Sequence, residues 1–287
     1  MDDHSRRDGS AGSSARNGAE AAAHNAAHQT ERVMRTPAAR GAARAGFVFV
    51  GLLHVLIAWL ALRVATGGSG NRADQSGAVQ QIASAPGGPV LLWAGAVCCA
   101  ALAVWMVMTA VAAWRRAGKA TKALGPGGTA LAYFAMTWLF ISFALGNQKN
   151  SGQQSQQTTA NLLSAPGGPV LVFVAGLVVL GVGVYFGFRG VTRGFLGKDA
   201  QPNESAPGWV KVVGSVGYTA KGIAVAVVGV LVLVAAVRHD PSQQSGLDGA
   251  LKSLAGQPFG TWILAIVALG LACYGVYNAA RARYGRF

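Results

Sequence analysis

The sequence predicts an all-α integral membrane protein: six transmembrane helices forming three tandem two-helix repeats around a pseudo-threefold axis. Three observations predict it. The hydrophobic residues gather in six long blocks, the basic residues fall mostly on one side of those blocks, and the connections between them repeat. Of the 287 residues 52% are hydrophobic and only 12% charged, with 40 glycines and a mean hydropathy of +0.38. A soluble domain carries about a quarter charged residues, so this chain lacks the polar surface to coat a globule in water. Long unbroken apolar blocks point to lipid as the solvent.

Residues 1–40 are rich in Ala, Gly, Ser, Asn and charges, with no apolar run. Such a tail buries too little surface to offset the entropy of ordering it, and is expected to be disordered. It lacks the short apolar core and cleavage site of a signal peptide. His24 and His28 have the spacing of two metal ligands on a helix but no third ligand beside them, so a solvated tail is the better reading.

The six apolar segments are 46–62, 90–114, 129–145, 170–188, 222–237 and 261–280. A helix rising about 1.5 Å per residue needs about twenty residues to cross about 30 Å of hydrocarbon. The shorter segments reach that length with their flanks. Barrel strands would be about half as long and would alternate. Trp59, Trp93, Trp114 and Trp262 lie near segment ends, where an interfacial aromatic belt belongs.

Basic residues set the orientation. The tail, the connections after the second and fourth segments (with Lys221) and the C-terminus hold nineteen of the twenty-four. Arg63, Arg72, Lys149, Arg238 and Lys252 lie on the other side. The positive-inside rule therefore predicts both termini in the cytoplasm and a chain in the inner (plasma) membrane. The net charge of +14 reads as topology and not as a nucleic-acid footprint. Three cysteines, Cys98, Cys99 and Cys273, all inside apolar segments, make neither a disulfide framework nor a zinc site.

The repeat is explicit. Residues 84–91, Ser-Ala-Pro-Gly-Gly-Pro-Val-Leu, recur letter for letter at 164–171, and a looser copy occupies 257–264. Aligning Pro86, Pro166 and Pro258 brings Trp105, Tyr185 and Tyr277 into register. Gly46-Phe47 and Gly51 likewise match Gly217-Tyr218 and Gly222. The unit is a helix, a polar outer loop, a Pro-Gly turn and a second helix. Units of two helices enter the membrane in the same direction, which calls for an axis along the membrane normal. The boundaries read as 41–118, 119–200 and 201–287. Gly87 and Gly88 permit positive φ, and Pro89 suits the first helical position. No Lys-Ser/Thr follows, so the turn starts a helix and does not cradle a phosphate. Trp105, Tyr185 and Tyr277 lie about five turns from the prolines, at the depth of the opposite interface, and are expected in the outward-facing belt.

With its Ala/Gly/Val-rich composition, outer Pro-Gly turns and charged tail, the chain resembles the actinobacterial membrane proteins grouped as domain of unknown function 1206. The resemblance covers residues 40–287 and rests on the Gly46-Phe47 and Gly217-Tyr218 helix starts, the polar outer loops and the two Ala-Pro-Gly-Gly-Pro turns. The second repeat departs from the pattern, since Gly127-Gly128 precede a helix without the Gly-aromatic start. The resemblance implies an integral membrane protein and carries over no catalytic residue.

Chemistry is sparse. None of the ten acidic residues lies in a spanning segment, which speaks against proton- or sodium-coupled transport, paired-carboxylate hydrolysis and a magnesium site. No Gly-x-Ser-x-Gly occurs. No enzyme, cofactor or metal is expected. The two functional candidates are His54 and Lys221. His54 lies about 15 Å beyond Arg44 by helical rise, near the midplane, where a polar group must have a partner. It is expected to face the interior, bonded to a neighbouring helix through a carbonyl or a hydroxyl such as that of Thr137. Lys221 sits at the start of the fifth segment, from which its stem can snorkel to the interface. Gly183 and Gly187 form a Gly-x-x-x-Gly pair expected to pack within the bundle. The function expected is structural or interactive, with the bilayer and an envelope protein as partners and no nucleic acid. The alternative is a passive facilitator of a small solute along the repeat axis.

Overall fold

In a computed structural model of the protein, the described residues are 36–68, 72–117, 121–147, 151–196, 206–243 and 246–285. Residues 1–35, with His24 and His28, lie outside them, as do Lys119, Lys149 and Lys198. Six helices are long and apolar enough to cross a membrane. They are α1 (Pro37–Ala65), α3 (Gly88–Ala117), α4 (Thr121–Ala144), α6 (Gly168–Val191), α7 (Gly208–Arg238) and α9 (Gly260–Tyr284). α1 starts inside the stretch read from the sequence as tail. Thr36 caps it by accepting a hydrogen bond from the Ala39 amide at 3.3 Å, and Pro37 takes the first turn, where its missing amide costs nothing. α4 likewise runs back through Pro126, Gly127 and Gly128.

The connections expected on the outer side hold three further short helices where loops were expected: α2 (Gln75–Ala83), α5 (Ser151–Leu163) and α8 (Gly246–Ala255). Glutamine is a good helix former, and α2 is nucleated by Asp74, whose carboxylate accepts from the Gly77 amide and the Ser76 hydroxyl. Asp248 in α8 accepts from the Ala73 amide at 2.8 Å and pairs with Lys252 at 2.7 Å, tying the third repeat's cap to the first. We call this the capped face, and the one carrying the start of α1 and the end of α9 the basic face.

Each short helix turns into the next spanning helix in the same way. Gly87 and Gly167 take φ of +76° and +75°. The glycine after each has another task, because a Cβ on Gly88 or Gly168 would strike the carbonyl of Ala83 or Leu162. The third copy keeps that second glycine as Gly260 but puts Phe259 at φ +60°. The turn is thus preserved where close backbone approach forbids any side chain.

The helix contacts are cyclic in repeat order. α3 packs on α4, α6 on α7, and α9 on α1, so the second helix of each repeat meets the first helix of the next. Glycine makes these seams. Between α6 and α7 the close pairs are 176 with 233, 183 with 226, 187 with 222 and 190 with 219, a single antiparallel register. Gly183 and Gly187 therefore lie against α7. Across α1 and α9, a Cβ on Gly51 would sit 2.6 Å from the Gly275 carbonyl oxygen. With no solvent to exclude between helices in lipid, such close approach is what gives them dispersion contact. Six of the seven tryptophans, Trp59, Trp93, Trp114, Trp138, Trp209 and Trp262, are exposed on the outer surface, while Trp105 is buried.

Candidate functional site

Trp105 and Tyr277 are 4% and 0% exposed, against 51% for Tyr185. The sequence put all three in an outward belt; only Tyr185 is there. Trp105 packs among Phe47, Leu102, Met106 and Ala130, and Tyr277 among Phe195, Val210 and Tyr218. The Tyr277 ring is bracketed by Phe195 at 5.1 Å and Tyr218 at 5.5 Å, both edge-on. Neighbouring helices on both sides supply an apolar slot that outweighs the interface's attraction for an aromatic ring. α6 has a single strong helix neighbour, which Tyr185 faces away from.

His54 and Lys221, which stood apart in the sequence, meet on one side chain, Tyr274 of α9. The Lys221 ammonium donates to the Tyr274 hydroxyl at 3.1 Å and lies 4.2 Å from its ring centre. It also stands 5.3 Å from the Phe186 ring centre. His54 meets the same Tyr274 ring edge-on at 4.8 Å. α7 begins at Gly208, well before the apolar segment that the sequence delimits, so Lys221 sits about 20 Å along it. Its stem does not reach for the interface; the charge is met inside by a hydroxyl and two π faces. The hydrogen bond of His54 is also not the expected one. Its Nδ1 donates to the Val50 carbonyl of its own helix at 2.8 Å, while Thr137 donates to Tyr133 on α4.

Two arginines extend the cluster toward the basic face. The Arg281 guanidinium lies 3.9 Å above the Phe47 ring and donates to the Asn278 side-chain oxygen at 3.4 Å. Asn278 in turn donates to the Tyr274 carbonyl at 2.8 Å. Arg189 lies 5.4 Å from the Tyr218 ring centre and 5.5 Å from that of Tyr185. These two arginines share the repeat register of Tyr185 and Tyr277, and Phe47 and Tyr218 are the aromatic residues of the two Gly-aromatic helix starts. The motif thus has a physical content: each ring receives an arginine from the repeat before it. In the sequence these arginines look like flanking charges, although the alignment that pairs the tyrosines also pairs them. Tyr274 carried no comparable mark. With no carboxylate among the described spanning residues, the cluster is a positive, aromatic-walled region suited to holding an anion or to locking helices.

The family model described as domain of unknown function 1206 matches three successive segments of this chain, 45–113, 124–193 and 216–285. That register places Ala130 where the other repeats have Gly51 and Gly222, and Pro126 where they have Phe47 and Tyr218. An uncharacterized protein of Bacillus subtilis (strain 168), YxxB, is 30% identical over 247 residues, covering 84% of this chain and 89% of its own length. No solved structure matches.

Proposed function

This chain belongs to the family of domain of unknown function 1206, and from that premise we propose that it is a non-catalytic structural or interaction component of the cell envelope. It sits in the plasma (inner) membrane with both termini in the cytoplasm, as the split of basic residues favours. One observation carries the reading. Where the spanning helices meet, side chains pack between them: Leu53, Ile57, Phe140 and Leu264 toward the capped face, and Phe195, Tyr218 and Tyr277 toward the basic face. A bundle filled in this way is suited to present its outside to other molecules. That outside is broad on α6, where Phe173, Val174, Leu177, Val178 and Val184 are each at least 40% exposed. In vivo crosslinking followed by purification from native membranes is expected to retain a membrane protein in fixed ratio to the chain. Recovery of the chain alone, together with solute flux in proteoliposomes, would overturn the proposal.

The second reading, a passive facilitator, draws on the Lys221 cluster, whose uncompensated charge would favour a small anion. Proteoliposomes carrying the purified chain would then leak chloride or phosphate faster than empty vesicles, and Lys221→Met would abolish the difference. Equal leak in all three preparations would remove this reading.

A further inference from the structure

The ends of α1 and α9 on the basic face flank a shallow, open cleft of about 730 Å³, lined by Arg44, Val48, Ala279, Ala282, Arg283 and Tyr284. Arg44 and Arg283 line it from two different helices, and both are exposed. We propose that this cleft binds an anionic phospholipid, its phosphate held between Arg44 and Arg283 and its acyl chains lying along Val48 and Ala279.

Three observations carry the assignment. The first is charge. Among the described residues the acids are Asp74, Asp240 and Asp248, all at the capped face, whereas Arg40, Arg44, Arg193, Lys211 and Arg283 belong to the basic face. Among the described residues no carboxylate lies on this face, and the planar guanidinium is the side chain whose geometry suits a phosphate diester. The second is depth. The Tyr284 ring meets Trp209 edge-on at 6.2 Å, and Trp209 is 49% exposed, an aromatic pair of the kind that sits at headgroup level. The third is the wall. Val48 is 49% exposed and Ala279 is exposed, so an apolar strip continues from the arginines toward the hydrocarbon. A free phosphate ion would use the arginines but not the strip, which is why the occupant is assigned as a lipid. Basic pockets between spanning helices recognise anionic headgroups by this combination. The proposal is independent of the function proposed above, since either a scaffold or a facilitator could carry such a lipid.

The test is native mass spectrometry of the purified full chain after delipidation and addition of dioleoyl phosphatidylglycerol or dioleoyl phosphatidylcholine. The wild type is expected to retain phosphatidylglycerol in preference to phosphatidylcholine. Arg44→Gln/Arg283→Gln should weaken that retention about thirtyfold, while Arg63→Gln/Arg238→Gln, on the capped face, leaves it unchanged. If the double variant does not fold, Arg283→Gln alone should show an intermediate loss. Arg44→Lys/Arg283→Lys should fall between wild type and the glutamine pair, since lysine keeps the charge but not the paired donors. Equal retention of the two lipids, or unchanged retention in the folded glutamine variants, would overturn the proposal. Complete displacement of the lipid by inorganic phosphate would show a simple ion site and would overturn it too.

Discussion

Lys221 is a charge placed where the sequence supplies no counter-charge, and Tyr274 is what makes that tolerable. The hydroxyl at 3.1 Å accepts from the ammonium, and the ring face lies at 4.2 Å. Removing the acceptor and removing the charge should therefore have opposite weights. Tyr274→Phe strands an ammonium that keeps only π contacts, and should cost about 1–3 kcal/mol. Lys221→Met replaces a part-buried charge by an apolar chain of similar length, and should stay within about 1 kcal/mol of wild type or be stabilising. Thermal unfolding of both variants in the same detergent decides it. A larger loss in Lys221→Met than in Tyr274→Phe would show that the ammonium has a stronger partner than this hydroxyl. His54 and Lys221 were legible in the sequence because ionisable residues stand out against an apolar background. Tyr274 was not, since a tyrosine in a spanning segment is ordinary until the rotation of its helix is known.

At the scale of the element, the seams are set by small residues in register. Gly183 and Gly222 on α6 and α7, and Gly51 and Gly275 on α1 and α9, are places where one backbone rests on another. Gly181 lies on the same α6 with open space around it. Gly183→Leu or Gly51→Leu should force the helices apart and destabilise by about 1–3 kcal/mol, whereas Gly181→Leu should be neutral. Denaturation in mixed micelles would separate them. Equal behaviour of Gly181→Leu and Gly183→Leu would mean that α6 is not anchored by this face. The short helices α2, α5 and α8 were only half visible beforehand. Their polar, glutamine-rich composition marked them as connections between spans, but their helicity depends on caps such as Asp74 and on docking, as where Asp248 holds Ala73. The two-glycine turn was legible because its demands are local. That the second glycine serves close approach to the preceding carbonyl emerged only with the fold.

Over the whole molecule, the order of the seams puts the first and last spanning helices side by side, in the middle of a row that runs α4, α3, α1, α9, α7, α6. Among the described residues, α4 and α6 of the second repeat do not pack along one another, while α1 with α3 and α7 with α9 do. The second repeat is also the one without the Gly-aromatic start, so the ring and arginine that brace the other two junctions have no counterpart at Pro126 and Thr109. The proposed orientation can be tested at the three turns, where Ser84, Ser164 and Gln257 are exposed. Cysteines there, in a background lacking the native three, should react with an impermeant thiol reagent added outside intact cells. A cysteine at Thr192, exposed at the basic end of α6, should react only after permeabilisation. The reverse pattern would invert the topology. Ser76, though in a connection on the capped face, is a poor site because it is fully buried and bonded to Asp74.

The sequence by itself determined the number of spans, the three repeated units and the form of the turns. Each of these rests on local quantities: the length of an apolar block against the thickness of hydrocarbon, a repeated string of residues, and the φ freedom of glycine. Tertiary structure alone decided which aromatic rings turn inward, which helix seams close and where the charges meet. His54 and Tyr274 touch across more than two hundred residues of chain, and Arg44 and Arg283 share a cleft from opposite ends of it. An apolar helix in lipid has no wet and dry side to fix its rotation in advance. That angle is set by the neighbour its glycines lie against, and so it is settled only when all six helices are packed.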